Sequence, residues 1–445
     1  MEPGQNFSRR QFLQATAATA ASVTALGLPV SGMLAQDAPP ADTAAMMAIY
    51  NFGGEKQQEM FGSAISRFNE RYPNVVVEDV YEPWPQGWGQ YITNLALRIA
   101  SGLPVDVIAL AIEGTAESIF QGLVLPMDDY IANDPELQAV VDEVHPSLHN
   151  ALKVPRGPEG TTYYLTREWN NMIIHYNPRM FDEAGLDYPA SDWTWDDFLA
   201  TAQALTSGEG GDKVFGFAIP YFNFGLTPWW HTNETATITE DWSDSNLDDP
   251  KMLESVQFLH SLVHEHGVSP DVFGTNMTEL FVSGRAAMSA AGRWPFTTYI
   301  ANEFYDVDIT PWPRKLAGTT VFGSGGWAVT SSTPNPDLAM ELIKDLTSIQ
   351  TDLDAVAAGT SLPARESVTL TEEFNAFPKS AHYYFESLDD IKPVPSPANF
   401  SELESIFMRN LGNIMNNSVS AEDGLAAGHE ELSEAKANLR ARMEG

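Results

Sequence analysis

Tryptophan beside glycine or proline recurs in this chain. Trp84-Pro85-Gln86-Gly87-Trp88 is one such stretch, and Trp229-Trp230 follow Gly225-Leu226-Thr227-Pro228. Trp294 follows Gly292-Arg293, and Trp327 follows Gly325-Gly326. A flat indole packs on the axial C–H face of a sugar, while polar edge groups hydrogen-bond its hydroxyls. A neighbouring glycine lets backbone and ring approach a ligand closely. Two uses compete for each ring: a stacking surface, or filling of a core or interface. Trp193 and Trp195 stand at a helix start and are assigned to packing.

Other residues suggest catalysis and fail on spacing. Asp128-Asp129 and Asp196-Asp197 are adjacent, so their carboxyls diverge on a helix. A glycosidase needs two carboxyls facing each other, roughly 5–10 Å apart. His264 and His266 lie two apart, unlike the i, i+4 histidines of a zinc protease. There is no phosphate-binding P-loop and no Gly-x-Ser-x-Gly elbow. No cofactor motif appears, so no cofactor and no enzymatic activity are expected. With no cysteine in the chain, disulfides, thiol nucleophiles and Cys-ligated metals are excluded. The net charge of −36 opposes nucleic acid and anionic lipid. The acidic excess fits a solubilising surface, a cationic ligand or a saline habitat.

The N-terminal stretch reads as an address. Ser8-Arg9-Arg10-Gln11-Phe12-Leu13 precedes a small-sided apolar run from Ala15 to Val30. That run falls short of the roughly 20 strongly apolar residues a membrane span needs. The pattern is that of an export signal of the twin-arginine kind, which moves folded proteins. Val30-Ser31-Gly32-Met33 has the form of a lipoprotein cleavage box with Met33 in the cysteine position. Lipid attachment there is impossible, so surface retention and the cleavage site stay open. Residues 1–35 are assigned to the signal and 36–45 to a flexible linker.

The elements that must position the aromatic residues alternate. Met46 to Phe52 reads as a strand, Glu55 to Arg71 as an amphipathic helix and Val75 to Tyr81 as a strand. Trp88 to Ala100 follows as a helix and Val105 to Leu110 as a strand. Such alternation implies a parallel sheet with helices on both faces and ligands beyond the strands' carboxyl ends. A second block supplies strands at 172–177, 215–219, 307–310 and 325–329. Its helices are expected at 195–205, 251–267 and 337–347. Some 400 residues exceed what one core supports, so two domains are expected.

The order of these pieces resembles the extracellular solute-binding proteins of ABC importers, in particular the carbohydrate-binding, maltose-binding-protein-like group. The resemblance rests on Phe68-Asn69-Glu70-Arg71-Tyr72-Pro73-Asn74-Val75, Gly102 to Val107 and Gly122 to Tyr130. It continues through Tyr176 to Leu186, Thr194 to Phe198, Phe281 to Met288, Gly292-Arg293-Trp294, Gly325-Gly326-Trp327 and Leu362 to Arg365. It implies an α/β fold of two lobes, each a mainly parallel sheet flanked by helices, joined by a hinge that closes on ligand. The chain would cross near Thr166–Trp169, near Pro311 and near Arg365. The lobes would then comprise 46–166 with 312–365, and 167–311 with 366–445.

The implied function is capture of a sugar, with several stacking rings favouring an oligosaccharide, and delivery to ABC permease subunits by a monomer. Glu55 and Lys56 resemble the group's first-turn acid–base pair, Tyr221 a site-lining tyrosine and Trp294 its stacking tryptophan. Glu113 lies where the group places a polar contact. Trp84, Trp88, Trp229, Trp230, Gly326, Trp327 and Arg365 complete the expected site; Arg365 competes with a structural salt-bridge role. A polyamine or a ferric ion remains open as the ligand. So does a glycerol phosphate met by Lys56, Arg167, Arg293 and Arg365.

Overall fold

The computed structural model describes residues 38–82, 87–154, 159–386, 388 and 391–444. Residues 1–35, expected to be an export signal, and Trp84 lie outside them. The chain opens with β1 (Ala45–Phe52), α1 (Glu55–Arg71), β2 (Val75–Glu82), α2 (Trp88–Ala100), β3 (Val107–Ala111) and α3 (Ile112–Phe120). Next come β4 (Lys153–Val154), β5 (Thr161–Thr162), β6 (Leu165–Asn171), β7 (Ile173–Tyr176), α4 (Trp195–Leu205), β8 (Phe215–Ala218) and α5 (Asn223–Thr232). The remainder includes β9 (Ala286–Ala291), β10 (Asp308–Thr310), β11 (Val321–Val329), β12 (Leu362–Pro363), β13 (Lys392–Pro393), α6 (Phe400–Met415) and α7 (Ala421–Glu444).

Local rules account for the element ends. Gln57 reaches back to accept from the Gly54 N–H at 3.0 Å at the start of α1, while Met60, Phe61, Ala64, Ile65 and Phe68 bury one face. At α4, Thr194 and Asp197 form a reciprocal capping box: the Thr194 N–H donates to Asp197 (2.9 Å), and the Asp197 N–H donates to the Thr194 hydroxyl (3.2 Å).

The large sheet runs β12-β6-β11-β3-β1-β2, with β13 beside β11; the smaller one runs β10-β7-β9-β8. β1 pairs parallel with β2 and β3, and β8 parallel with β9. β11 runs antiparallel to β3 and β6, so both sheets are mixed where returning strands enter. β6 stays in the large sheet through Asn171, and β7 opens the second sheet at Ile173. The passage between sheets therefore falls at Met172, beyond the expected Thr166–Trp169. Backbone pairing with β11 holds Glu168–Asn171 in place, and Arg167 is the extra residue where the register shifts between Gly325 and Gly326.

One core gathers around β1, β3, α1 and Trp327, and a second around α4, α5, β9 and α6. A third joins Val144, Leu148 and Trp169 to Phe281, Phe296 and Tyr384. β11 touches all three: Val321 belongs to the second, Phe322 to the third and Trp327 to the first. Between these anchors it carries only Gly323, Ser324, Gly325 and Gly326.

Candidate functional site

Residues just past the ends of strands from both sheets converge on one cavity of about 1120 Å³. Gly53 and Gly54 follow β1, and Ala111 and Glu113 stand where β3 meets α3. Tyr221, Phe222, Asn223 and Phe224 follow β8, and Trp294 follows β9. The floor is the middle of β6 and β11, from Arg167 to Asn170 and from Gly323 to Gly325. One wall comes from α6 through Ser401, Glu404, Ser405 and Met408.

Aromatic rings stand on both sides. Trp88, at the start of α2, meets Phe52 edge-on with centroids 4.7 Å apart. Opposite, Trp294 lies 6.2 Å from Phe222 and 6.3 Å from Phe224. The glycine before Trp294 has a steric cause: a Cβ on Gly292 would fall 2.4 Å from the indole. Rings held this way by neighbouring rings present fixed apolar faces.

The polar lining is mostly neutral, and its charged residues are mostly acidic. Among the described residues lining the cavity, Arg167 is the one cation, against Glu113, Glu168 and Glu404. Arg167 donates to Glu168 at 2.5 Å, and its guanidinium carbon lies 4.7 Å from the Trp327 ring centroid. Glu113 is buried. Glu404 is largely removed from water, which pushes its carboxyl up to about 7; a hydrogen bond with Asn223 opposes that rise and the nearby Glu117 charge adds to it. Glu117 itself accepts from the Ser401 N–H (3.1 Å) and hydroxyl (2.7 Å), tying α3 to α6.

A carboxyl raised in the folded state penalises folding as it ionises. The penalty is absent below the ordinary glutamate range near 4.5 and complete above about 7. Glu404→Gln should therefore stabilise the protein relative to wild type more at pH 8 than at pH 5.5, by roughly 1–3 kcal/mol. Thermal denaturation of both proteins at the two pH values measures this. An equal offset at both would show that Glu404 titrates normally.

Of the residues singled out in the sequence, Trp88, Glu113, Arg167, Tyr221 and Trp294 line the cavity. Apart from Trp84, outside the described residues, the others fall elsewhere. Glu55 and Lys56 are exposed on α1, with Lys56 donating to Glu59 at 2.7 Å; from that turn it is Gln57 that faces the cavity. Trp229 and Trp230 are fully buried on α5, where Trp229 packs against Trp195, Phe198 and Trp312, and Trp230 against Phe407. Trp327 fills the first core edge-on to Phe61 at 5.0 Å. Gly326 serves strand packing, since a Cβ there would sit 2.8 Å from Tyr164 and 2.9 Å from the Leu165 carbonyl. Arg365 is a buried structural tie: Nε and Nη2 donate to the Thr347 carbonyl (3.1 and 3.0 Å) and Nη1 to Glu143 (3.0 Å). Arg293 likewise donates to the carbonyls of Phe377 and Val356.

The sequence reading missed α6 and, on β6, Glu168 and Asn170. The spacing of Phe400, Leu403, Phe407, Leu411 and Ile414 does signal a helix. Nothing in it says that Ser401 and Glu404, on the flank, meet a cavity.

Comparison with known proteins agrees with this geometry. Residues 53–351 match the bacterial extracellular solute-binding protein family. An arabinooligosaccharide-binding protein of Halalkalibacterium halodurans is 21% identical over 310 residues, spanning 67% of this chain and 66% of that protein. This chain thus spans just under two thirds of that relative's length. An ABC substrate-binding protein of Listeria monocytogenes in complex with cycloalternan superposes with a TM-score of 0.80 at 20% identity, over 89% of this chain and 100% of that one. The maltose-bound MalE3 of T. maritima gives 0.76 at 19% identity, over 87% and 99%. Together with strand-end loops from two sheets meeting at one cavity, the family match places this chain among the bacterial extracellular solute-binding proteins.

Proposed function

We propose that this protein is an exported receptor that captures a neutral sugar of more than one unit and presents it to an ABC permease. The observation that carries the reading is the cavity: two aromatic groups line it, Trp88 with Phe52 and Trp294 with Phe222 and Phe224, around about 1120 Å³. That space is at the upper end for small-molecule sites and exceeds a single sugar. Its acidic lining disfavours glycerol phosphate, and Arg293 and Arg365 are spent on backbone carbonyls elsewhere. The ligands of the related proteins, cycloalternan, maltose and arabinooligosaccharides, are all neutral sugars. The ligand leaves unchanged; the two halves close on it because both contact it only when shut. Export through Ser8–Leu13 and action as a monomer complete the reading.

Calorimetric titration and thermal shift of the full chain test it. The panel is maltotriose, mannotriose, arabinotriose, cycloalternan, D-mannitol, digalacturonate, glycerol 3-phosphate and spermidine. A sugar at a hundred times its Kd should add about 2.7 kcal/mol of stability. Response to spermidine alone would replace the sugar with a polyamine held by Glu113 and Glu404.

A further inference from the structure

We propose that Glu117 is a latch: by capping α6 from α3 it favours the closed cleft before any sugar arrives, and so sets how long a sugar is held. The inference rests on the receptor reading above and concerns its control. α2 and α3 pack into the first core through Tyr91, Ile92, Leu95 and Ile112. α6 packs into the second through Phe400, Leu403 and Phe407. A bond between these elements therefore joins the two halves of the receptor.

Glu117 makes that bond twice over. One carboxylate oxygen accepts both the N–H and the hydroxyl of Ser401, at 3.1 and 2.7 Å. The other accepts from Gln121, one turn further along the chain, at 3.2 Å, which fixes the carboxylate. Ser401 stands in the first turn of α6, where backbone N–H groups have no partner within the helix. The flanking Asn399 makes no cap bond of its own. The sixteen-residue helix is thus capped by a carboxylate from the other half of the receptor. Such a bond is charge-assisted and favoured by the helix dipole, so it keeps a net gain after exchange with water. Opening the cleft at this point breaks both hydrogen bonds.

α2 presses on the same residue. A Cβ on Gly89 would fall 2.9 Å from the Ser401 Cβ and 3.1 Å from its Cα. Glycine weakens a helix, and its place in this one is explained by that approach. Trp88, its neighbour, packs against both cores. Glu117 stands outside the cavity lining, so it acts on the walls and not on the sugar. A ligand held by the closed form gains affinity as far as that form is favoured.

The test is small-angle X-ray scattering of the full chain, with and without sugar, on wild type and the Glu117→Ala and Gly89→Val variants. Titration and dissociation kinetics with the best-binding panel sugar accompany it. Glu117→Ala should have a larger ligand-free radius of gyration than wild type, and saturating sugar should restore the wild-type value. Its affinity should fall about fivefold, through faster dissociation. Gly89→Val, which drives a side chain against Ser401, should enlarge the ligand-free radius in the same way. It keeps the proposal testable if Glu117→Ala does not fold. Ligand-free radii equal to wild type in both variants would overturn the latch. So would an affinity loss in Glu117→Ala at an unchanged radius, because Glu117 would then shape the site and not its closure. A purely structural Glu117 would shift the melting temperature and leave the radii alike. A wild type that binds no sugar of the panel overturns the sugar reading instead, and the ligand-free radii still decide the latch.

Discussion

Trp294→Ala is expected to weaken sugar binding by about 2 kcal/mol, roughly 30-fold, while the unliganded protein melts within a few degrees of wild type. Trp294 is partly exposed at the cavity, and its contacts are ring edges of Phe222 and Phe224 rather than a sealed core. Removing it takes away a ligand face and leaves little void. Titration with the best-binding panel sugar measures the loss. Unchanged affinity with a collapsed melting temperature would make Trp294 a packing residue and remove half of the aromatic cavity argument.

The opposite pattern is expected for Trp229→Ala. Trp229 is fully buried and touches the rings of Trp195, Phe198, Phe258 and Trp312 at 5.0–5.4 Å. Truncating so large a buried ring leaves a cavity costing about 3–5 kcal/mol. Sugar affinity of the protein that remains folded should stay within about threefold of wild type. Urea denaturation gives the first quantity, and titration at low temperature the second. A large affinity loss with intact stability would put Trp229 at the ligand.

These two tryptophans show where sequence reading stops. Both sit beside glycine or proline, and that local chemistry is identical for a stacking ring and a core ring. The alternating elements of the first half were legible because apolar spacing and breakers are local: α1 and α2 lie where the periodicity places them. The start of α4 at Trp195 was legible for the same reason. The cavity was legible only as strand ends, which gave Trp88 and Glu113. Glu168 was hidden because a polar run gives no strand signal; pairing with β11 makes it one. Glu404 was hidden because a helix flank acquires a cavity only when a distant helix, here α2, meets it. Arg365 and Trp327 were misplaced because burial, not residue type, separates a ligand contact from a structural tie.

β11 is a beam clamped at both ends. Val321 and Phe322 are fixed in two cores and Trp327 in a third, while the span between them forms the cavity floor with almost no side chain of its own. A clamped span bends little, so a ligand of the wrong shape displaces the walls and leaves the floor in place. Changes at the exposed Phe222 on those walls are expected to retune ligand preference without loosening any core.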